Sequence, residues 1–339
     1  MLPNVIRDAS TLLALISLIS ACGDDAPPPP EFELVAVTFN TGTTDSLAHD
    51  ALPDDGYSSD DAITSDLHYG NGLAWVPAVE AATAFFAELQ PDVVAFQEIF
   101  YSAECAAIPA EAHPGFVCES WADGDPTVAH VIMGMGYQVA CNQARPDKCL
   151  AVRRSFGTFR GCDGDLCLDH LAGARVPTCG GGSRIGRGIV DLVGGGEITV
   201  VGVHGSSGLS LDDMSCRVRQ FDQVFVDLGD DAGEPAANGA VNIILGDLNT
   251  DPVRFADGDT SAARFSEFVG EGKAFDFINE TGRLAPPTYA IFNIDHVVSD
   301  AFTGSCEIPG VTEGVPAILD AIYFDHKPIV CRLGGDRPD

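Results

Sequence analysis

Apolar residues in this chain form short runs, some continuous and some alternating with polar residues, and two longer runs at helical spacing. Short runs bounded by turn residues are typical of β-strands, and apolar positions three or four apart are typical of amphipathic helices. The predicted strands cover residues 32–39, 93–96, 188–193, 197–203, 291–298, 328–331 and part of 241–250, and the predicted helices cover residues 73–89 and 212–228. The stretch 105–182, rich in cysteine and glycine, predicts loops around one or two strands.

The run 241–250, VNIILGDLNT, places a carboxylate and an amide at the end of a buried strand. Asp247 and Asn249 are two residues apart, so in a strand their side chains would point the same way. Together they could hold a water, a metal ion or a phosphate oxygen. An Asp-Leu-Asn turn closing a hairpin explains the same residues, because Asp and Asn also bond their own backbone.

Other predicted strands also have polar residues of catalytic types beside them. The six stretches, in chain order, carry Asn40, Gln97-Glu98, His204, Asp247-Leu248-Asn249, Asp295-His296 and Asp325-His326. A single histidine or acid of this kind is usually structural. Their recurrence at strand ends indicates a site.

Residues 45–66 are rich in Asp, Ser and Gly. Such a segment could bind calcium, but the ordered ligand spacing of an EF-hand is missing. We therefore expect a solvated loop there.

The formal net charge of the 339-residue chain is −32, with only three lysines. This field repels nucleic acid unless a basic patch or bound divalent cations offset it, although a salty habitat would explain the acidity equally well. Much of the scarce positive charge consists of arginines between residues 153 and 187, some of which a phosphate-bearing substrate would need.

The N-terminus resembles a bacterial secretory signal ending in a lipobox. Arg7 precedes the apolar run 12–19, which is too short to span a bilayer, and the sequence Ile-Ser-Ala-Cys at 19–22 follows. The resemblance implies that residues 1–22 are a signal peptide and that Cys22 becomes the lipidated first residue. A secreted form without lipid, or a buried N-terminal helix, would also fit the run.

Residues 23–31 are acidic and rich in proline, which predicts a stiff, extended linker. The folded domain is predicted to occupy residues 32–334. We expect the protein to be exported and either lipid-anchored in the bacterial cell envelope, at the outer membrane or surface, or secreted. We also expect a monomer.

Ten of the eleven cysteines remain once Cys22 is set aside. In an exported chain an even number predicts disulfides, and no Cys-x-x-Cys pair is present to suggest zinc. Plausible closures are Cys141 with Cys149, Cys162 with Cys167, and Cys306 with Cys331.

The six polar stretches, in this order, resemble the endonuclease/exonuclease/phosphatase superfamily of deoxyribonuclease-like enzymes, and the likeness covers nearly all of residues 32–334. The resemblance implies an α/β fold, a four-layer α/β sandwich in which two packed, mostly antiparallel β-sheets are flanked by helices. The site would lie at the strand ends.

The resemblance also implies a divalent cation. Glu98 and Asn40 would bind it, with Asp325 as a possible helper. Mg²⁺ is the expected ion, and Mn²⁺ or Ca²⁺ are alternatives. Oxygen ligands of this kind suit Mg²⁺, which retains several waters.

The remaining site residues would act on the phosphate. By the same resemblance, His326 would be a general base or a phosphate-stabilising imidazole, oriented by Asp295. Asp247 would align the attacking water, and Asn249 and His204 would contact the phosphate oxygens.

These expectations define a Mg²⁺-dependent phosphoric ester hydrolase of the phosphodiesterase or nuclease type. Its substrate would be a phosphate ester in nucleic acid, in a nucleotide or in a phospholipid head group. Phe100 stands near where nucleases of the family tend to offer Arg or Lys, which favours the sphingomyelinase-like alternative. The family's second site glutamate has no clear match, with Asp147 a weak candidate. A catalytically inactive surface-binding module is a further alternative.

Overall fold

A computed structural model describes residues 32–43, 57–70, 72–168, 175–176, 179, 184–228, 233–255, 257–319, 321–336 and 338. The predicted signal peptide, Cys22 and the linker at 23–31 lie outside the described residues. Within them, no helix combines the length and the apolar composition needed to cross a bilayer.

The described chain contains twelve strands and five α-helices. The strands are β1 Phe32–Asn40, β2 Val93–Gln97, β3 Tyr137–Cys141, β4 Cys149–Arg153, β5 Gly157–Phe159, β6 Ile185–Leu192, β7 Glu197–His204, β8 Asn242–Asp247, β9 Asp276–Phe277, β10 Asp295–Ser299, β11 Thr303–Glu307 and β12 Ile329–Gly335. The helices are α1 Ser59–Tyr69, α2 Val76–Leu89, α3 Val128–Met133, α4 Leu211–Phe225 and α5 Thr260–Phe265.

The strands form two six-stranded sheets. The first has the order β11-β12-β1-β2-β4-β3 and the second β5-β6-β7-β8-β10-β9. Only β1 with β2 and β7 with β8 are parallel among the named strands; the other neighbours are antiparallel. The predicted mostly antiparallel sheets are therefore confirmed.

Alternating side chains of each strand pack on opposite faces of its sheet, as the two-residue period of a strand requires. In β8, Ile243 and Leu245 pack into the core between the sheets, whereas Ile244 packs with Phe221 of α4 on the outer face. On the outer face of the first sheet, Phe96 packs against helix α2. The order helix, sheet, sheet, helix confirms the predicted four-layer sandwich.

The two sheets meet at an edge that carries the candidate residues. In the first sheet Asn40 pairs with Gln97 at the ends of parallel β1 and β2. In the second, Asp247 lies between His204 of β7 and Asp295 at the start of β10. The Asn40 Nδ2 donates to Asp247 Oδ2 at 3.0 Å, which joins the two edges.

Two predicted elements are wrong in part. The expected solvated loop at 45–66 ends in helix α1, whose N-cap Ser58 accepts a hydrogen bond from the Asp61 backbone N–H. That capping signal lay in the sequence. The strand predicted over 291–298 begins only at Asp295, because Tyr289 and Phe292 close a tight turn before it.

Four disulfides are present among the described residues, which supports an exported protein. The three predicted pairs, Cys141–Cys149, Cys162–Cys167 and Cys306–Cys331, are all confirmed, and Cys105–Cys118 is an additional one. Cys179 and Cys216 are outside these four.

Candidate active site

Three oxygen-bearing side chains converge beside Gly42. A β-carbon at this glycine would lie 2.7 Å from Glu98 Oε2, 2.9 Å from Asp325 Oδ1 and 3.3 Å from Asn40 Oδ1. Glycine is therefore required here, because any side chain would occupy the small volume that the three oxygens share. The structure thus brings together the three residues predicted to bind metal.

Burial disfavours the charged forms of the two carboxylates more than the nearby His326 favours them. Burial, the largest effect, raises the pKa of Glu98 and raises that of Asp325 to about 6. Asp325 Oδ1 is buried without a hydrogen-bond partner. Glu98 also has a φ of 57°, a left-handed conformation that costs energy for this residue. Two carboxylates and an amide oxygen fit a hard divalent cation.

His326 and Asp295 form a second unit. The ring Nδ1 donates to Asp295 Oδ2 at 2.8 Å, which fixes the ring orientation and directs Nε2 to within 3.8 Å of Asp247 Oδ2. Burial alone would lower the pKa of His326, but the charges of Asp295 and Asp247 outweigh it and raise that pKa to about 10. Without a cation nearby, the ring is an imidazolium at neutral pH.

Asp247, Asp295 and His326 could themselves hold a metal, since one ligand atom of each lies within 4.8 Å of the others. The hydrogen bond between His326 and Asp295 already accounts for their closeness. Around Gly42, Asn40 Oδ1 accepts a hydrogen bond from the Gly42 backbone N–H at 3.0 Å, but Asp325 Oδ1 has no partner and no hydrogen bond joins the two carboxylates. The oxygens of Glu98, Asn40 and Asp325 are therefore the better candidate for a cation site.

Asp247 is held by two amides. Asn249 donates to it from its backbone N–H at 2.8 Å and from its side chain at 2.9 Å, and Asn40 donates to the same carboxylate. The backbone bond is that of an Asx turn, so the turn interpretation of this stretch is correct as local geometry. The hairpin interpretation is wrong, because α5 and β9 lie between β8 and its antiparallel partner β10 in the sequence. Burial raises the pKa of Asp247.

His204 and Asp295 lie on the two strands that flank Asp247, so His204 is on the side of Asp247 away from Asp295. Its Nε2 is 3.4 Å from Glu98 Oε1 and 3.6 Å from Asp247 Oδ2, and its Nδ1 has no hydrogen-bond partner among the described residues. Burial, followed by the charge of Lys148, keeps the pKa of His204 well below its usual value. The ring is therefore neutral.

Among the described residues no acid bonds Nδ1 of His204, so the second glutamate expected from the superfamily resemblance has no counterpart there. Asp147, the candidate considered from sequence, instead accepts a hydrogen bond from Lys148 Nζ at 2.7 Å. Phe100 is buried against Tyr69, with ring centroids 5.0 Å apart, so it does not face the site. It therefore carries no information about the substrate.

All eight predicted site residues thus lie in one site. They are Asn40, Glu98, His204, Asp247, Asn249, Asp295, Asp325 and His326. They come from both sheets and from positions up to 286 residues apart in the sequence.

A fully buried arginine, which sequence analysis missed, supports the loops of the site. From α4, Arg217 Nη1 donates to the backbone oxygens of Ser206 and Gly208 at 2.7 and 2.8 Å. Its Nη2 lies 3.2 Å from Asp259, which also accepts from Thr250 Oγ1 at 2.7 Å. Arg217 therefore ties the loop after His204 to the loop after Asn249. Its position one turn before Phe221, on the buried side of the helix, was the available signal.

Replacing Arg217 with Met should lower the free energy of unfolding by about 3–5 kcal/mol, because the Asp259 charge and two backbone oxygens lose their partner. We expect kcat to fall as well. The exposed Arg219 on the same helix provides the control, Arg219→Met. Urea unfolding measures the effect, and equal stability of the two variants would contradict this role for Arg217.

Solved structures resemble this fold, although no protein-family model and no curated protein sequence matches the chain. A D. rerio TDP2 humanized by 14 mutations is 15% identical, with a TM-score of 0.50, covering 89% of this chain and 99% of that chain. The human Nocturnin catalytic domain, with a bound sulfate anion, is 10% identical, with a TM-score of 0.50, covering 89% and 94%.

The chain shares the fold of these proteins. An endonuclease/exonuclease/phosphatase family protein from Bacteroides thetaiotaomicron is also similar, at 14% identity and a TM-score of 0.49, covering 90% of this chain and 96% of that chain. At such low identities the likeness establishes the architecture, and activity has to be argued from the residues of this site.

Proposed function

We propose that this protein is a metal-dependent phosphodiesterase of the endonuclease/exonuclease/phosphatase type. The observation that carries the proposal is the convergence of Glu98, Asn40 and Asp325 around Gly42, beside the hydrogen-bonded pair of His326 and Asp295. A cation site next to an oriented imidazole is what hydrolysis of a phosphate ester requires.

Mg²⁺ is the proposed ion, with Mn²⁺ and Ca²⁺ as alternatives. Glu98, Asn40 and Asp325 would hold it, and when bound it would neutralise charge on the nonbridging phosphate oxygens. The same role explains why two partly buried carboxylates lie together although the positive charge of His326 does not offset their burial.

The protein groups position and polarise the reactants. Asp247 accepts a hydrogen bond from the attacking water, and its raised pKa allows it to take a proton. The water oxygen bonds to phosphorus as an ester P–O bond breaks, and the proton ends on the released alcohol. The His326 imidazolium and the Asn249 amide stabilise the charge that develops on phosphate, while neutral His204 is available as a further contact.

Hydrolysis assays test the proposal with plasmid DNA, bis-p-nitrophenyl phosphate, p-nitrophenyl phosphate and sphingomyelin, each with and without EDTA. We expect the bis-ester to be cleaved faster than the monoester, with activity lost in EDTA and restored by Mg²⁺. Faster cleavage of the monoester would identify a phosphatase instead. Absence of turnover on all four would favour the inactive binding module.

We further propose an exported, monomeric protein that is anchored through lipid on Cys22. The four disulfides support export. The anchor rests on the sequence alone. Mass spectrometry of the mature N-terminal peptide checks it, and a peptide that begins elsewhere, without lipid, would contradict it.

A further inference from the structure

A cavity of about 750 Å³ opens directly beside the site. Glu98, Asp247, Asp325 and His326 form one wall of it. Beyond them the lining is largely apolar and includes Met214, Phe255, Tyr289, Phe292 and Ile294. Its volume is in the range of small-ligand pockets, which are mainly apolar with a few convergent polar groups. A substrate whose phosphate lies at the site can therefore place an apolar group in the cavity.

The charges of the cavity do not suit a polyanion. Its described lining contains the carboxylates of Glu98, Asp247 and Asp325, together with Asp259, which is paired with Arg217; His326 is the one cationic side chain in that lining, which has no Lys or Arg. Lys148 lies beside His204, outside this cavity, and its ammonium is bound to Asp147. A strand with several phosphates would meet repulsion here, whereas a single phosphodiester would need only the groups of the site.

Exposed aliphatic side chains surround the mouth of the site. We call Leu209, Val253, Leu284 and Ile291 the apolar rim; they are 84%, 50%, 98% and 70% exposed. They lie on the loops that follow β7 and β8 and on the loop that precedes β10. Because those strands place His204, Asp247 and Asp295 at one edge, the three loops leave the second sheet on the side of the site.

Contacts between these loops keep the rim together. Arg254 donates to the backbone oxygens of Ile291 and Arg283, at 2.6 and 3.2 Å. Ile291 stands at the tip of a turn closed by a 2.7 Å hydrogen bond from Phe292 to Tyr289. Ala290 in that turn has a φ of 46°, a strained conformation of the kind found at functional sites. Clustered exposed apolar residues beside a pocket mark an interaction surface.

We propose that the substrate is a phospholipid-type phosphodiester taken from a zwitterionic lipid surface. The long-chain group enters the cavity and the apolar rim contacts the lipid. The net charge of −32 would repel an anionic surface, which is why the lipid is zwitterionic. This substrate class rests on the proposed phosphodiesterase function.

A series of p-nitrophenyl alkyl phosphates, from methyl to octyl, tests the cavity. For each methylene added, kcat/KM should rise roughly fourfold until the cavity is filled, since burying a CH₂ contributes about this factor. Bis-p-nitrophenyl phosphate, which has no chain, reports the proposed function separately. Its hydrolysis with a flat alkyl series would overturn the lipid substrate and leave the phosphodiesterase standing. No hydrolysis of any ester would overturn both.

A pair of double variants tests the rim. Leu284→Ser with Ile291→Ser alters the rim, and Met135→Ser with Val193→Ser alters exposed apolar residues at the opposite ends of the strands. The hydrolysis rate on phosphatidylcholine vesicles is divided by the rate on bis-p-nitrophenyl phosphate. A loss of activity caused by damage to the site itself then cancels in the ratio. We expect this ratio to fall at least tenfold for the rim variant alone. Equal ratios, or faster cleavage of DNA than of vesicles, would overturn the proposal.

Discussion

Replacing His326 with alanine should lower kcat on bis-p-nitrophenyl phosphate by about 10³-fold, within the range expected for an oriented acid–base or oxyanion-stabilising group. The variant loses the only imidazole that bonds Asp295 and reaches Asp247 in the described structure. His113→Ala, a histidine whose ring contacts the Ile108 backbone oxygen, provides the control. Steady-state kinetics measures the effect, and a loss below tenfold would remove His326 from the chemistry.

Asp295 should contribute to catalysis only through the His326 ring, which it orients and keeps protonated. Asp295→Asn alone should lower kcat by about 10²-fold, since the imidazolium loses the carboxylate that raises its pKa and orients it. In the His326→Ala background the same change should have almost no further effect, because groups that act as a unit are not additive. Additive losses would show that Asp295 has a role of its own.

The second large effect is expected at Glu98. Glu98→Gln should weaken Mg²⁺ binding at least about 100-fold, because it removes the charge of a proposed ligand that lies beside Asp325 and Asn40. Activity should recover only at high Mg²⁺. Glu88→Gln is the matched control. Glu88 is an exposed residue at the end of α2, near the start of β2 and therefore away from Glu98. Calorimetric titration of Mg²⁺ and the Mg²⁺ dependence of kcat measure the change.

The free energy of unfolding, measured with and without Mg²⁺, distinguishes a metal-ligand role of Glu98 from a purely structural role. Because burial raises the pKa of Glu98, its charged form is unfavourable in the metal-free protein. Glu98→Gln should therefore raise the free energy of unfolding without metal and lower the further stabilisation that Mg²⁺ gives. A variant that is less stable without metal and binds Mg²⁺ normally would contradict the ligand role.

Much of the fold and the site followed from local patterns. The apolar runs located β1, β2, β7 and β8 closely, because buried strands need apolar side chains on both faces in a sandwich with helices outside. Polar residues at the ends of such strands are conspicuous, because a buried polar side chain is unfavourable unless it is hydrogen-bonded or binds a ligand. The order of those residues then indicated the fold that brings them together.

Features that depend on contacts distant in sequence could not be predicted. Gly42 is one of 37 glycines, and only the folded positions of Glu98 and Asp325 show why a side chain is excluded there. Arg217 looks like an ordinary helix arginine until its partners on two other loops are known. The apolar rim likewise needs three loops to meet. In each case the information lies in the tertiary packing.

Anomalous scattering from crystals grown with Mn²⁺ tests the central claim most directly. We expect a single strong peak within about 2.2 Å of oxygens from Glu98, Asp325 and Asn40, next to Gly42. A peak among Asp247, Asp295 and His326 instead, or only at exposed acids, would contradict it.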